Sequence, residues 1–91
     1  MKFYHSAEWK ETRRLQLRRQ PYCEACEKHG RKERGTEVDH IIPIKAGGER
    51  LMLRNLQTLC KPHHTAKTAA ERTARERAQR RRDERRRTRG Y

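Results

Sequence analysis

Two histidines stand side by side in the segment CKPHHTAKT, residues 60–68, three and four positions after a cysteine. A Cys-x-x-His half of a zinc site needs only one of them, and a Cys-x-x-Cys pair lies upstream. Tetrahedral zinc accepts any mixture of four such ligands, so the two pairs predict one structural zinc site. Its ligands would be Cys23, Cys26, Cys60 and His63. The alternative interpretation is three unrelated reduced cysteines.

His64 must then serve another purpose. Successive residues of an α-helix point about 100° apart, so adjacent histidines do not easily bind one small ion. Asp39, in the segment VDHIIP, offers an oxygen ligand to complement the nitrogen of His64. Together they predict an open coordination sphere for Mg²⁺, Mn²⁺ or another divalent ion, with water and substrate oxygens completing it. The exchanged assignment, with His64 on zinc and His63 on the second ion, remains open here.

His40, next to Asp39, is the predicted general base, since a neutral imidazole near pH 7 can take a proton from water. The ion would hold a phosphate oxygen and stabilise the charge that develops during phosphodiester cleavage. Asn55 is expected to orient His40 or to add a contact to the ion. Adjacent residues of a regular strand point to opposite faces, so Asp39 and His40 converge only where the strand ends or twists.

The secondary-structure elements that must position these residues follow from local patterns. Ser6 is a helix N-cap residue and Pro21 a helix terminator, which predicts a helix at residues 6–19 with Trp9 packed on a small core. In chain order, we then predict a zinc knuckle at 22–30, a strand at 36–44, a short helical turn near 51–53, a strand at 56–60 and a helix from Pro62 past residue 80.

Composition limits the fold and the partners. The chain has 91 residues, 31% of them hydrophobic, and a net charge of +13. This predicts one small domain with a thin apolar core that a metal ion can stabilise, and a polyanionic partner, nucleic acid in the first place. We find no signal peptide, no membrane-spanning segment and no amphipathic helix for a membrane surface. A cytoplasmic protein with reduced thiols is expected.

The C-terminal part is strongly basic. Residues 71–91 contain ten arginines and four acidic residues, and we interpret them as an Arg-rich helical extension or tail after a domain at 1–70. Six basic side chains are predicted to contact phosphate, with solvated surface charge as the competing interpretation. They are Lys45, Arg54, Lys67, Arg75, Arg80 and Arg81.

Four segments, spread over roughly residues 3–68, resemble the HNH nuclease family in its small, phage-type, zinc-stapled form. They are FYHSAEWK, CEAC, VDHIIPIKAGG and NLQTLCKPHHTAKT, in this order. The letters of the family name would fall on His40, Asn55 and His64. The resemblance implies an α+β fold built on a ββα-metal (His-Me finger) motif at residues 36–70. An N-terminal helix, a structural zinc knuckle and a long basic C-terminal helix or tail would complete it.

The resemblance also implies an activity, that of a metal-dependent DNA endonuclease that nicks or cuts both strands. Asp39 and His64 would bind the catalytic divalent ion. His40 would activate the attacking water with the help of Asn55. Many relatives have cysteine where His63 stands, and histidine is an ordinary zinc ligand. Phage members often work beside the large terminase subunit in genome packaging, which makes terminase an expected partner in the bacterial host cell.

Two rival hypotheses remain open at this point. One is a zinc-stapled nucleic-acid-binding module that does not cut, and the other is a packaging accessory protein whose main partner is a packaging motor. Zinc and positive charge suit all three interpretations. The joint presence of Asp39, His40, Asn55 and His64 favours the enzyme, because a binding module has no chemical need for this combination.

Overall fold

The computed structural model describes residues 3–89, with side chains as far as residue 85. Residues 1, 2, 90 and 91, which belong to the predicted domain and tail, lie outside the described residues. The helices are α1 (Ala7–Arg19), α2 (Glu24–Lys28) and α3 (Lys61–Arg89), and the strands are β1 (Glu37–His40) and β2 (Leu56–Leu59). Short 3₁₀ turns occupy Phe3–His5, Ile44–Ala46 and Leu53–Asn55. The predicted α+β fold, with consecutive β, β and α elements at its centre, is confirmed.

The two strands form an antiparallel pair in which Glu37 is opposite Leu59 and His40 is opposite Leu56. β1 is shorter than the strand predicted at 36–44. The chain leaves the ladder after His40 because Asn55 captures the next two N–H groups, that of Ile41 with its carbonyl at 2.8 Å and that of Ile42 with its side chain at 2.9 Å. Pro43 then offers no N–H for a ladder.

Helix α1 crosses the sheet and is fixed at both ends. Ser6 is its N-cap, accepting the N–H of Trp9 at 3.1 Å. Gln16 is fully buried and donates to the Thr58 hydroxyl of β2 at 3.2 Å. A buried polar pair of this kind is stable only when it is hydrogen-bonded, so it fixes how α1 lies on the sheet.

The buried apolar core is small. It comprises Trp9, Cys23, Cys26, Leu56 and Leu59. Two of these five are cysteines of the predicted zinc site, and both pack against Leu59. A core this thin predicts that the fold depends on metal ligation as well as on burial.

Helix α3 begins one residue before the predicted start at Pro62 and continues through residue 70 to Arg89. The boundary predicted between residues 70 and 71 therefore falls inside a continuous helix, and the division into domain and extension stays a prediction. The described side chains at 72–85 are all exposed. Across residues 3–89, no helix has the length and apolar character needed to cross a bilayer.

Candidate active site and zinc site

The structure brings three thiols and one imidazole together. The Nδ1 atom of His63 lies 3.6, 3.4 and 3.2 Å from the sulfur atoms of Cys23, Cys26 and Cys60, and the sulfurs of Cys26 and Cys60 are 3.9 Å apart. A tetrahedral zinc ion with Zn–S bonds of about 2.3 Å and a Zn–N bond of about 2.0 Å separates its ligand atoms by about 3.5–3.8 Å. The number, type and spacing of these ligands therefore fit structural zinc.

The ligands come from two junctions of the fold. Cys23 is the N-cap of α2 and Cys26 lies within it, while Cys60 precedes α3 and His63 lies in its first turn. A bound ion would fasten the knuckle around α2 to the point where β2 becomes α3. It is His63, and not His64, that faces this cluster.

The charges in the cluster favour a cation. Burial disfavours the Cys23 thiolate, yet the N–H groups of Cys60 and Cys26 outweigh it and lower the Cys23 pKa to about 6. Burial and the neighbouring sulfurs of Cys23 and Cys60 raise the pKa of Cys26 to about 12. A bound divalent cation would stabilise the thiolate of Cys26 that these neighbours disfavour.

His40 lies at the end of β1, 6% exposed, with its ring against α1. Its Nε2 atom is 2.9 Å from the backbone carbonyl oxygen of Arg50. A carbonyl can only accept, so Nε2 donates and the neutral ring keeps its lone pair on Nδ1. This tautomer is the one that can remove a proton through Nδ1.

The side chain of Asp39 is directed toward α3. Its Oδ2 atom lies 2.7 Å from the ammonium group of Lys67. Lys67 also contacts Glu71 Oε2 at 2.5 Å and the carbonyl oxygen of His40 at 3.2 Å. β1 ends at His40, which is the condition for convergence with Asp39. Asp39 contacts Lys67 of α3, and the His40 ring stacks on Trp9 of α1.

Lys67 is held as a cation. Partial burial acts to lower its pKa, but hydrogen bonds to the carboxylates of Asp39 and Glu71 outweigh that effect and raise the pKa. Its contacts to three oxygen atoms match the three N–H donors of an ammonium group. The predicted phosphate contact of Lys67 remains a prediction, since in this structure it pairs with carboxylates.

His64 lies on the same side of β1 as Asp39. Its Nδ1 atom is 4.0 Å from Oε1 of Glu37, which lies two residues before Asp39 on the strand. His64, Lys67 and Glu71 are spaced three and four residues apart and so share one face of α3. We call this line of contact between β1 and α3 the seam: Glu37, Asp39, His64, Lys67 and Glu71.

The seam is more open than the thiol cluster. Among the residues with described side chains, only one group brings three or more potential metal ligands within 4.8 Å of one another. It consists of Cys23, Cys26, Cys60 and His63. Asp39 and His64 face the same seam without forming such a cluster. Sequence reasoning did not assign Glu37 or Glu71 to the site. Glu37 lies two residues before Asp39 on a strand, and Glu71 lies four residues after Lys67 on a helix, and each spacing places the pair on one face of its element.

Asn55 is buried and acts on the loop between the strands. Its Oδ1 atom accepts the Ile42 N–H at 2.9 Å, and its Nδ2 donates to the carbonyls of Ile42 at 3.1 Å and Glu49 at 2.8 Å. Gly48 permits this close approach, because a Cβ there would overlap the Ile42 carbonyl oxygen. The same loop carries the Arg50 carbonyl that contacts His40, so Asn55 is connected to His40 through the loop.

Comparison with known proteins identifies the family. The sequence model of the HNH endonuclease family matches residues 23–70. A similar solved structure is the crystal structure of the HNH endonuclease of the deep-sea thermophilic bacteriophage GVE2 with manganese ion. It is 39% identical, with a TM-score of 0.72, over 79% of this chain and 80% of that chain. The chain belongs to the HNH endonuclease family. Comparison with curated protein sequences gave no match.

The predicted enzyme class is confirmed: this HNH endonuclease is a nuclease that hydrolyses phosphodiester bonds, and DNA is its partner. The donor set for zinc is present as well. The match to the family begins at residue 23, so α1 and the turn before it lie outside the matched segment.

The basic residues predicted to contact DNA are spread over this HNH endonuclease. Lys45 is exposed in a 3₁₀ turn, and Arg54 is exposed and paired with Glu49 at 2.7 Å. Arg75, Arg80 and Arg81 are exposed on α3, beyond the seam. Their contacts with DNA remain predictions.

Proposed function

We propose that this HNH endonuclease cuts DNA in a divalent-metal-dependent reaction in which His40 is the general base. The observation that carries the proposal is the 2.9 Å contact of His40 Nε2 with the Arg50 carbonyl. Because this contact commits Nε2 to donation, Nδ1 is free to accept the proton of a water molecule as its oxygen attacks phosphorus. The new P–O bond forms as the bond to the leaving oxygen breaks.

We assign the catalytic divalent ion to Asp39 and His64, with Mg²⁺ and Mn²⁺ as the candidates. An oxygen and a nitrogen ligand on the seam, both on partly exposed side chains, are consistent with an incomplete protein ligand set. Such an ion would supply positive charge to the phosphate oxygens. The manganese bound by the similar GVE2 enzyme supports this assignment.

Two other seam residues contact those two ligands. The Glu37 carboxylate faces Nδ1 of His64, an arrangement that would leave Nε2 of that ring free to bind a metal ion. Lys67 pairs with the carboxylates of Asp39 and Glu71, and its ammonium group would have to release Asp39 for the ion to bind there. We propose that Asn55 is a positioning residue, since its described contacts are to the loop backbone and none is to His40 itself.

We propose that Cys23, Cys26, Cys60 and His63 hold a structural zinc ion. We further propose that the protein is phage-encoded, acts in the bacterial cytoplasm and works with the large terminase subunit in packaging. Support for this last part is the resemblance to phage-type members and the similarity to a bacteriophage enzyme. Co-purification of the tagged protein with terminase from infected cells would support it, and recovery without terminase would count against it.

The test of catalysis is cleavage of a supercoiled plasmid with Mg²⁺, Mn²⁺ or EDTA. The wild type should relax or linearise the plasmid only with a divalent ion. His40→Ala should lose about 10²- to 10⁴-fold in rate, the usual contribution of a general base. His29→Ala, at an exposed histidine on the knuckle, is the matched control and should retain the wild-type rate.

Asp39→Asn and His64→Ala test the metal ligands. Both should keep their zinc and their circular dichroism spectrum while losing metal-dependent cleavage. A folded, zinc-loaded protein that binds DNA but leaves it intact with every divalent ion would favour the non-catalytic binding module. Cleavage by His40→Ala at the wild-type rate would disprove the assigned base.

A further inference from the structure

The segment FYHSAEW, residues 3–9, surrounds the proposed base with aromatic rings. It supplies three of the five aromatic residues of the chain. The ring of Trp9 is stacked on that of His40, with centroids 5.2 Å apart and planes inclined by 22°. The rings of Phe3 and Tyr4 lie 6.3 and 6.4 Å from the same imidazole. We call these three rings the aromatic cluster.

The cluster is built by a local turn. Ser6 accepts the N–H of Trp9 and donates its hydroxyl to the carbonyl of Phe3 at 2.7 Å, which folds the chain back before α1. Phe3 and Tyr4 then each lie 5.4 Å from the Trp9 ring, and 5.0 Å from each other. Aromatic pairs at these distances attract each other beyond simple burial, so the cluster supports itself.

Two contacts therefore hold the imidazole of His40, one on a face of the ring and one at its edge. Trp9 covers one face, and the Arg50 carbonyl holds the Nε2 edge at 2.9 Å. The guanidinium group of Arg50 lies over the Phe3 ring at 5.6 Å, which connects the loop to the aromatic cluster. Trp9 is only 5% exposed, so its ring has little freedom to move away.

We propose that Trp9 is a positioning residue for His40, and that the segment at residues 3–9 is part of the active site. The stack fixes the plane of the ring, and the Arg50 carbonyl selects the edge, so that Nε2 donates and Nδ1 keeps its lone pair. This inference depends on His40 being the base, as proposed above. It extends the active site to a segment outside the matched residues 23–70.

Ordinary core packing is the competing explanation for Trp9, and it makes a different prediction. If Trp9 only fills space, a substitution lowers stability but leaves the rate of the folded enzyme unchanged. If Trp9 orients the base, kcat falls while DNA binding and KM are preserved, because the base acts only in the chemical step. The two roles are therefore separable by kinetics on the folded protein.

The test compares Trp9→Leu with Trp9→Phe, measured as folded, zinc-loaded protein below each melting temperature. Trp9→Leu should lose about 10- to 100-fold in kcat through misplacement of the imidazole, with KM unchanged. Trp9→Phe, which keeps an aromatic face, should recover most of this loss. Leu17→Ala is the matched control, a half-buried position on the same helix that should lower stability without changing kcat.

Phe3→Leu is a second variant in case Trp9→Leu folds poorly. It removes the half-buried ring between Trp9 and Arg50, and we expect a loss in kcat of about 3- to 10-fold. Stability should change less than in Trp9→Leu, because Trp9 is the more deeply buried of the two. A wild-type kcat in folded Phe3→Leu and in folded Trp9→Leu would contradict the positioning role.

An independent measurement detects the stack without any cleavage. In the NMR spectrum, the carbon-bound ring protons of His40 should be shifted upfield by the Trp9 ring current, and the shift should disappear in Trp9→Leu. An unshifted His40 in the wild type would disprove the stack. An inactive His40→Ala beside a fully active Trp9→Leu would overturn the inference alone. An active His40→Ala would instead overturn the proposed function, and the positioning role with it.

Discussion

At the scale of single residues, the adjacent histidines are divided between two environments. His63 faces three sulfur atoms at 3.2–3.6 Å, whereas His64 faces Glu37 across the seam. The helical rotation of about 100° between neighbours makes this division possible within one turn. A short Cys-x-x-His-His segment can therefore contribute to a structural zinc site and to a catalytic ion at once.

His63→Ala and His64→Ala should consequently fail in different ways. His63→Ala should lose zinc and much of its secondary structure, because zinc binding in comparable small domains is worth on the order of 10–16 kcal/mol. His64→Ala should retain zinc and fold but not cleave. Zinc content and circular dichroism measure both effects. Equal loss of zinc and fold in the two variants would show that the division is wrong.

Lys67 offers a second test at this scale, since its ammonium group occupies the carboxylate that we assign to the catalytic ion. Removing the competing charge in Lys67→Met should tighten Mn²⁺ binding by up to about fivefold, the equivalent of a partly exposed ion pair worth about 1 kcal/mol. Isothermal titration of DNA-free, zinc-loaded protein measures this. Lys61→Met, exposed on the first turn of α3, is the control for net charge. Unchanged or weaker binding in Lys67→Met would count against Asp39 as a ligand.

At the scale of elements, the loop between β1 and β2 positions His40, and Asn55 holds that loop. Three hydrogen bonds from one buried amide bind Ile42 and Glu49, and Gly48 makes room for them. β1 ends at His40, because Asn55 accepts the next two N–H groups, those of Ile41 and Ile42. The loop thus supplies the Arg50 carbonyl at a fixed position relative to His40.

Asn55→Asp should break this arrangement while conserving shape. Both Nδ2 donors are lost and a carboxylate oxygen meets two carbonyl groups, so we expect a loss of about 2–3 kcal/mol in the free energy of unfolding. Cleavage should fall as the loop moves, with zinc content unchanged. Arg54→Gln, which breaks only an exposed ion pair in the same turn, should cost less than about 1 kcal/mol. Chemical denaturation of both variants measures the difference. Equal stability would contradict the proposal that the hydrogen bonds of Asn55 hold the loop.

Sequence reasoning succeeded where residue type alone restricts the chemistry. Four candidate zinc ligands in two short pairs could be picked out because few other arrangements use them, and the structure brings them together. The helix N-cap at Ser6 is likewise a local signal. The seam could not be derived, because the pairing of Asp39 with Lys67 depends on how α3 docks on β1. The end of β1 likewise depends on Asn55, which is fifteen residues beyond His40. Trp9 was expected only to pack, since its contact with His40 arises from the tertiary fold.

At the scale of the whole molecule, a small core that contains the cluster of three cysteines and one histidine is joined to a long basic helix. α3 has 29 residues and so extends about 43 Å. His63, His64 and Lys67, near its start, contact the core. Its exposed arginines stand beyond the seam on the same rigid element as His64 and Lys67. We expect DNA that enters the active site to run alongside this helix.

Charge-neutralising substitutions test that expectation. Changing Arg75, Arg80 and Arg81 together to Gln should weaken DNA binding and reduce the slope of log K against log salt by up to about 3, because each phosphate that a side chain neutralises contributes about 0.9 to that slope. Lys10, Lys28 and Arg31, all exposed and outside α3, changed together to Gln are the charge-matched control. Equal slopes for the two triple variants would indicate that α3 provides only net charge.

The division of the two histidines between two metal ions is tested most directly by a crystal structure with zinc and manganese, with anomalous diffraction recorded at the absorption edge of each metal. We expect a zinc peak among Cys23, Cys26, Cys60 and His63, and a separate manganese peak between Asp39 and His64. Both imidazoles on a single ion, or no manganese beside Asp39, would contradict it.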